Sequence, residues 1–204
     1  MKYLFFILLF ICSIHCSYAQ DSGGDTVAYR GNIISVSPFL FTENGLGFGG
    51  SYERSVDKKG LFAITIPVMV TFDVANSNRI YDYNTGNYKT GKADAMFYVM
   101  PGIKYYPTGS NGKLKYATGA SLVVGSGQKS RDLLNLYGLN ETEQVQSHFI
   151  AGIMWQNSLN LSLSKHLYIS IDAGIGSSFY NRTGGVNTAN EMLVQGGFRV
   201  GKRF

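Results

Sequence analysis

The sequence predicts an all-β fold, an eight-stranded antiparallel up-and-down transmembrane β-barrel. Three observations carry this expectation. Between Phe149 and Phe179 bulky apolar residues recur at every second position. Ile153, Trp155, Leu159, Leu161 and Leu163 lead into Leu167, Ile169, Ile171 and Ile175, interrupted by Ser164, Lys165 and His166. Strict alternation marks a strand buried on one face. Each arm exceeds the about 5–6 residues usual for a strand and suits the about 9–11 with which a tilted strand crosses a bilayer. Second, after the first turn the connections alternate short and long, as in barrels with short periplasmic turns and longer external loops. Third, beyond the N-terminal segment no apolar run approaches the ~18 residues of a spanning helix, and Leu61 to Val70 is the longest.

Composition narrows the function classes. Charged residues make up 15% of the 204 and aromatic residues 14%, and Gly occurs 25 times, which suits a β protein with close backbone packing. The net charge of +5 is spread without a basic run, which speaks against nucleic acid.

Residues 1–19 read as a signal peptide. Lys2 supplies the basic start, Tyr3 to Ile14 the apolar stretch, and Ser17-Tyr18-Ala19 the cleavage site. Both cysteines, Cys12 and Cys16, lie inside it, so the expected mature chain has neither a disulfide nor a thiolate metal site. Residues 20–30 are a polar lead, and residues 31–204 form the barrel.

Taken in order, strand one covers Asn32 to Phe41, with Ile34, Val36, Pro38 and Leu40 on one face. Asn44-Gly45 closes the first turn. Strand two covers Leu46 to Ser55, with Leu46, Phe48 and Tyr52 opposite Ser51 and Glu53. Strand three, Leu61 to Val74, turns Phe62, Ile64, Ile66, Val68, Val70 and Phe72 one way. A polar loop at 75–94 precedes strand four, Ala95 to Tyr106, and a turn at 107–113 leads to strand five, Leu114 to Gly125. A second loop at 126–147 precedes the long hairpin. A third, at 180–190, precedes strand eight, Glu191 to Phe204.

An unpaired peptide group in hydrocarbon costs several kcal/mol, so strand eight must pair with strand one and close the sheet. Eight strands leave an interior just wide enough for side chains to fill. The inward faces are expected to be rich in Gly, Ala and Ser and to carry Glu53, Lys104, Lys115, Asp172 and Arg199. Isolated charges do not survive in a dry interior, so these five are expected to pair in a polar network. Pro38, Pro67 and Pro101 each remove a ladder donor within a strand and are expected at bulges or near rims.

With the cleavable signal, eight alternating strands and Phe204 ending a strand with Phe198 and Val200, the chain resembles the small OmpA/OmpX-type outer-membrane β-barrels. The run Pro101-Gly102-Ile103-Lys104-Tyr105-Tyr106-Pro107, with Ala19-Gln20 at the cleavage site, is similar to the outer-membrane β-barrel domain proteins of Bacteroidetes. The resemblance implies an outer-membrane location among lipid and lipopolysaccharide. It also implies that Phe204 is part of the signal read by the barrel-assembly machinery.

No residue set defines a catalytic or metal site. His148, beside Ser147, is a rim candidate for lipid A acyl chemistry, but a lone histidine makes no triad. Asp82-Tyr83-Asn84-Thr85-Gly86 lacks the spaced carboxylates of a calcium loop. The Gly45 to Gly50 run lies on a strand with no following helix, which excludes a dinucleotide fingerprint. No cofactor is expected. Tyr81, Tyr83 and Tyr88 in the first long loop offer rigid amphipathic contact area. The expected function is therefore a monomeric barrel with a filled lumen, structural or surface-interacting through its loops rather than an open pore. The alternatives are a lipid-modifying enzyme near His148 and a soluble lipocalin-like binder with its bulky face inward.

Overall fold

The computed structural model describes residues 31–57, 59–73, 79–82, 87–90, 95–109, 112–133, 142–164 and 166–204. The expected signal peptide and polar lead fall outside them. The strands are β1 Asn32–Thr42, β2 Gly45–Ser55, β3 Phe62–Phe72, β4 Arg79–Asp82, β5 Asn87–Thr90, β6 Ala95–Val99, β7 Gly102–Tyr105, β8 Leu114–Leu133, β9 Thr142–Ser162, β10 Leu167–Thr183, β11 Val186–Asn187 and β12 Met192–Arg203. β6 and β7 together form one barrel strand, so eight strands run antiparallel in chain order. β12 pairs with β1 from Ile33↔Arg203 to Thr42↔Gln195, which closes the sheet into a barrel. The end bearing the connections at 56–61, 106–113 and 163–166 is the turn end; the opposite end is the loop end.

Sidedness follows the alternation. Ile171 is 61% exposed and Trp155 54%, whereas Ser51, Glu53, Thr65 and Ser170 are buried. The apolar ladder therefore faces outward, and the lipocalin-like alternative, which needs it inside, is overturned. Aromatic pairs sit near both ends of the outward face: Phe62–Tyr105 at the turn end, Phe48–Phe72 and Phe149–Tyr180 towards the loop end.

Several boundaries differ from expectation. β8 runs on to Leu133 and β9 starts at Thr142, so the expected loop at 126–147 shrinks to 134–141. Its polar residues gave no apolar alternation because this ribbon, beyond Gln128, pairs only with itself among the described residues. The first long loop contains the β4–β5 hairpin, and β10 continues to Thr183. Leu40 departs from its expected face. The register shifts around Pro38, so Phe39 and Phe41 point outward and Leu40, 2% exposed, points in. A second shift, between Ser178 and Tyr180, leaves Phe179 and Tyr180 both outward.

Pro38 thus marks a bulge, but Pro67 and Pro101 do not. The register is the same on both sides of the β6–β7 break, with Val68 facing Val99 and Thr65 facing Gly102. Met100 N–H still donates to the Pro67 carbonyl and Leu122 N–H to the Pro101 carbonyl, each at 2.9 Å. The two prolines only fail to return a donor across otherwise intact ladders.

Candidate functional site

The interior has two layers. The turn-end layer is polar. Glu53 comes from β2, Lys104 from β7, Asp172 from β10 and Arg199 from β12, all at inward positions. Lys104 Nζ lies 3.1 Å from Glu53 Oε2 and 4.0 Å from Asp172 Oδ1. Arg199 donates from Nε to Asp172 Oδ2 at 2.6 Å, from Nη2 to Asp172 Oδ1, and from Nη1 to Ser51 Oγ at 3.0 Å. Ser51 in turn lies 2.7 Å from Ser35. Tyr106 donates its hydroxyl to Glu53, Tyr168 donates to Asn160, and Arg203 sits 5.8 Å from the Tyr168 ring centre. Within this quartet two cations face two carboxylates and hydrogen-bond to them, the condition under which charge persists away from water. Lys115 is buried as well, and its carbonyl accepts from Asn160 Nδ2. It lines a cavity of about 20 Å³ with Glu53, Tyr106 and Arg203.

The loop-end layer is apolar, which the sequence reading missed. Leu40, Met69, Met96, Tyr98, Met100, Val123, Ile150, Met154 and Leu193 form one buried cluster. The signal was present: each methionine occupies the parity opposite an outward residue such as Val68, Phe97 or Trp155. Methionine fills irregular space well because it is unbranched and flexible. Small inward residues make the room. A Cβ on Gly125 would lie 2.6 Å from the Tyr98 ring, and one on Gly174 would lie 2.6 Å from Met154 Sδ. Between the layers lies a second cavity of about 20 Å³, lined by Leu40, Met69, Asp172 and Arg199 among others, with space for about one water.

Above the apolar layer the mouth is polar again. Glu43, in the two-residue β1–β2 turn, reaches across the barrel. Its carboxylate accepts from Val194 N–H at 3.0 Å, Tyr98 hydroxyl at 3.2 Å and Asn44 Nδ2 at 3.2 Å. Gly45 makes this turn possible with φ +117°, a region open chiefly to glycine. Burial pushes the Glu43 carboxyl above its ordinary range, against the pull of these donors. Glu191 lies 4.0 Å from Lys129 and accepts from Asn181 Nδ2 at 2.9 Å.

His148 points inward rather than out at a rim. It is 1% exposed, its Nδ1 is 2.7 Å from Thr183 Oγ1, and its Nε2 has no hydrogen-bond partner among the described residues. Tyr81 and Tyr88 are register partners in the β4–β5 ladder, while Tyr83 lies outside the described residues. Phe204 is 45% exposed, and its N–H donates to the Asn32 carbonyl at 3.0 Å, tying the C-terminus to the start of β1.

These features define a class: a small closed eight-stranded barrel of the outer-membrane type. No family model matches the chain, and no curated protein does. Among the similar solved structures are the three that follow. A major outer membrane protein from Thermus thermophilus has 12% identity and a TM-score of 0.60, with 87% of this chain and 100% of that chain covered. The N-terminal β-barrel domain of Pseudomonas aeruginosa OprF has 10% identity over 86% of this chain and 98% of that one, with a TM-score of 0.45. Neisserial surface protein A has 12% identity over 85% and 96%, with a TM-score of 0.46. At such identity the likeness to the Thermus protein speaks for the fold alone.

Proposed function

We propose that the chain is a small outer-membrane barrel with a filled lumen, which acts structurally or through its external loops and is not an open pore. The outward ladder of β3 carries the membrane part of this reading. It begins and ends on aromatic residues, Phe62 and Phe72, each paired with a ring on a neighbouring strand. Ten steps at about 3.3 Å span about 33 Å, or about 25 Å along the axis of a barrel tilted at 35–45°, the height of the apolar band in such barrels. Left in water, so large an apolar surface would drive association. The filled lumen is supported by the two stacked layers and by the small size of the two cavities between their side chains, about 20 Å³ each. His148 does not favour the enzyme reading, because its ring is turned into the barrel and held by Thr183. In this reading Phe204 contributes to recognition by the assembly machinery, and the loop end meets lipopolysaccharide.

The experiment is extraction and reconstitution. The protein should require detergent, migrate differently on gels before and after heating, and give no large steady ion conductance in planar bilayers. Recovery without detergent would remove the membrane reading. Sustained conductance would remove the filled lumen.

A further inference from the structure

Asn157 is a polar residue in the middle of the outward β9 ladder, between Trp155 and Ile153 on one side and Leu159 and Leu161 on the other. Its Oδ1 accepts from the hydroxyls of Tyr116 and Thr118, the latter at 2.9 Å. Both hydroxyls converge on the same amide atom. The other end of the amide has no partner among the described residues, whichever way the amide is turned. Thr118, Asn157 and Ala173 lie in line across β8, β9 and β10, and Ala120 lies beside Trp155. By side-chain size, Ala120 and Ala173 leave the outward face lower than Trp155 and Ile171 beside them, a shallow depression around Asn157.

An amide with an unpaired end in hydrocarbon costs several kcal/mol. Lipid carbonyls and phosphates stay at the interface and do not reach the centre of the ladder. The missing partner must then be protein, and the depression is complementary to itself. It offers one free amide end and two hydroxyl oxygens with spare lone pairs. We propose that a second copy of this chain docks on this face within the bilayer, about a two-fold axis through the depression. Ala120 and Ala173 let the two surfaces approach closely, as small residues do between packed membrane segments, and an isologous pair closes without propagating. This inference rests on the bilayer reading above and replaces the expected monomer with a dimer.

The test uses the full chain in phosphatidylcholine vesicles, with dimer fraction read by energy transfer between labelled copies over a range of protein-to-lipid ratios. Heat-modifiable migration, scored for every sample, reports insertion separately from pairing. The wild type should pair. Asn157→Leu and Ala173→Trp should stay folded and inserted, and each should weaken pairing at least tenfold. Ala173→Cys should give a disulfide-linked dimer under mild oxidation, whereas Ala95→Cys, outward at the loop end of β6, should not. A wild type that is inserted but monomeric at every density overturns the proposal. So does wild-type pairing in both Asn157→Leu and Ala173→Trp.

Discussion

Arg199 on β12 holds Asp172 on β10 with two guanidinium nitrogens and Ser51 on β2 with a third. The fork spans three strands around the circumference and links β10 and β12 to the Glu53–Lys104 pair through Lys104. Such pairs owe little to net Coulomb gain, because desolvation opposes it, but removing one member strands the other. Arg199→Leu should therefore cost about 3–5 kcal/mol. Arg199→Leu with Asp172→Leu should recover part of that loss, because no lone carboxylate remains facing Lys104 and Glu53. Urea unfolding in vesicles followed by gel migration measures both. Unchanged stability in the single variant would mean that the network contributes nothing.

The apolar layer depends on glycine as much as on methionine. Tyr98 lies across Gly125, where a Cβ would also come within 2.8 Å of Ile150 Cγ2. Gly125→Val should overpack this level and cost about 1–3 kcal/mol. Adding Tyr98→Ala should relieve the overlap, so the double variant should be more stable than the sum of the single effects allows. A double-mutant cycle of unfolding midpoints gives the coupling, and strict additivity would show that Tyr98 does not limit the space at Gly125.

Pro101 gives no N–H to the Leu122 carbonyl, although Leu122 N–H donates to Pro101. Pro101→Val keeps an outward apolar side chain and returns the donor. Loss of the stiff ring costs about 0.4–1 kcal/mol through the unfolded chain. A carbonyl left unpaired in hydrocarbon costs several kcal/mol. The bond should win, and the variant should be more stable by at least about 1 kcal/mol. A less stable Pro101→Val would mean that the Leu122 carbonyl is already served by another donor.

The outer surface was legible in the sequence because a period of two survives any change of neighbour. Ile169, Ile171 and Ile175 read as one face whatever they pair with. Within the barrel wall, inward and outward positions change parity where the backbone slips. Leu40 falls on the wrong face in the sequence because the bulge at Pro38 inserts a residue without changing composition. The interior was harder to read. Glu53 and Asp172 stand out as charges among small residues, but Met69, Met96, Met100 and Met154 look apolar on either face. Their meeting depends on three barrel strands, β3, β6–β7 and β9, being brought together by closure. The reach of Glu43 to Tyr98 and Val194 was invisible for the same reason: the partners lie 55 and 151 positions away.

Glu43 also makes stability depend on pH. Its carboxyl is raised above the ordinary 4.5 by burial first, while the Val194 N–H and the Tyr98 hydroxyl pull it down and Glu191 pushes it up. The folded state therefore keeps its proton to higher pH than the unfolded state does. Between the two pKa values the folded chain binds more protons, so stability falls as pH rises through that window and is level above it. Lys129 lies against Glu191 and moderates the repulsion from that side. Glu43→Gln keeps an acceptor for Val194 and Tyr98 but carries no charge to desolvate. It should match the wild type at about pH 4 and exceed it increasingly as pH climbs above 4.5, with the gap constant once Glu43 has ionised. Unfolding midpoints of the two proteins across about pH 4–8 decide this. A gap that stays flat over the whole range, or one that opens on the acid side, would mean that the Glu43 carboxylate is better solvated in the folded barrel mouth than its burial implies.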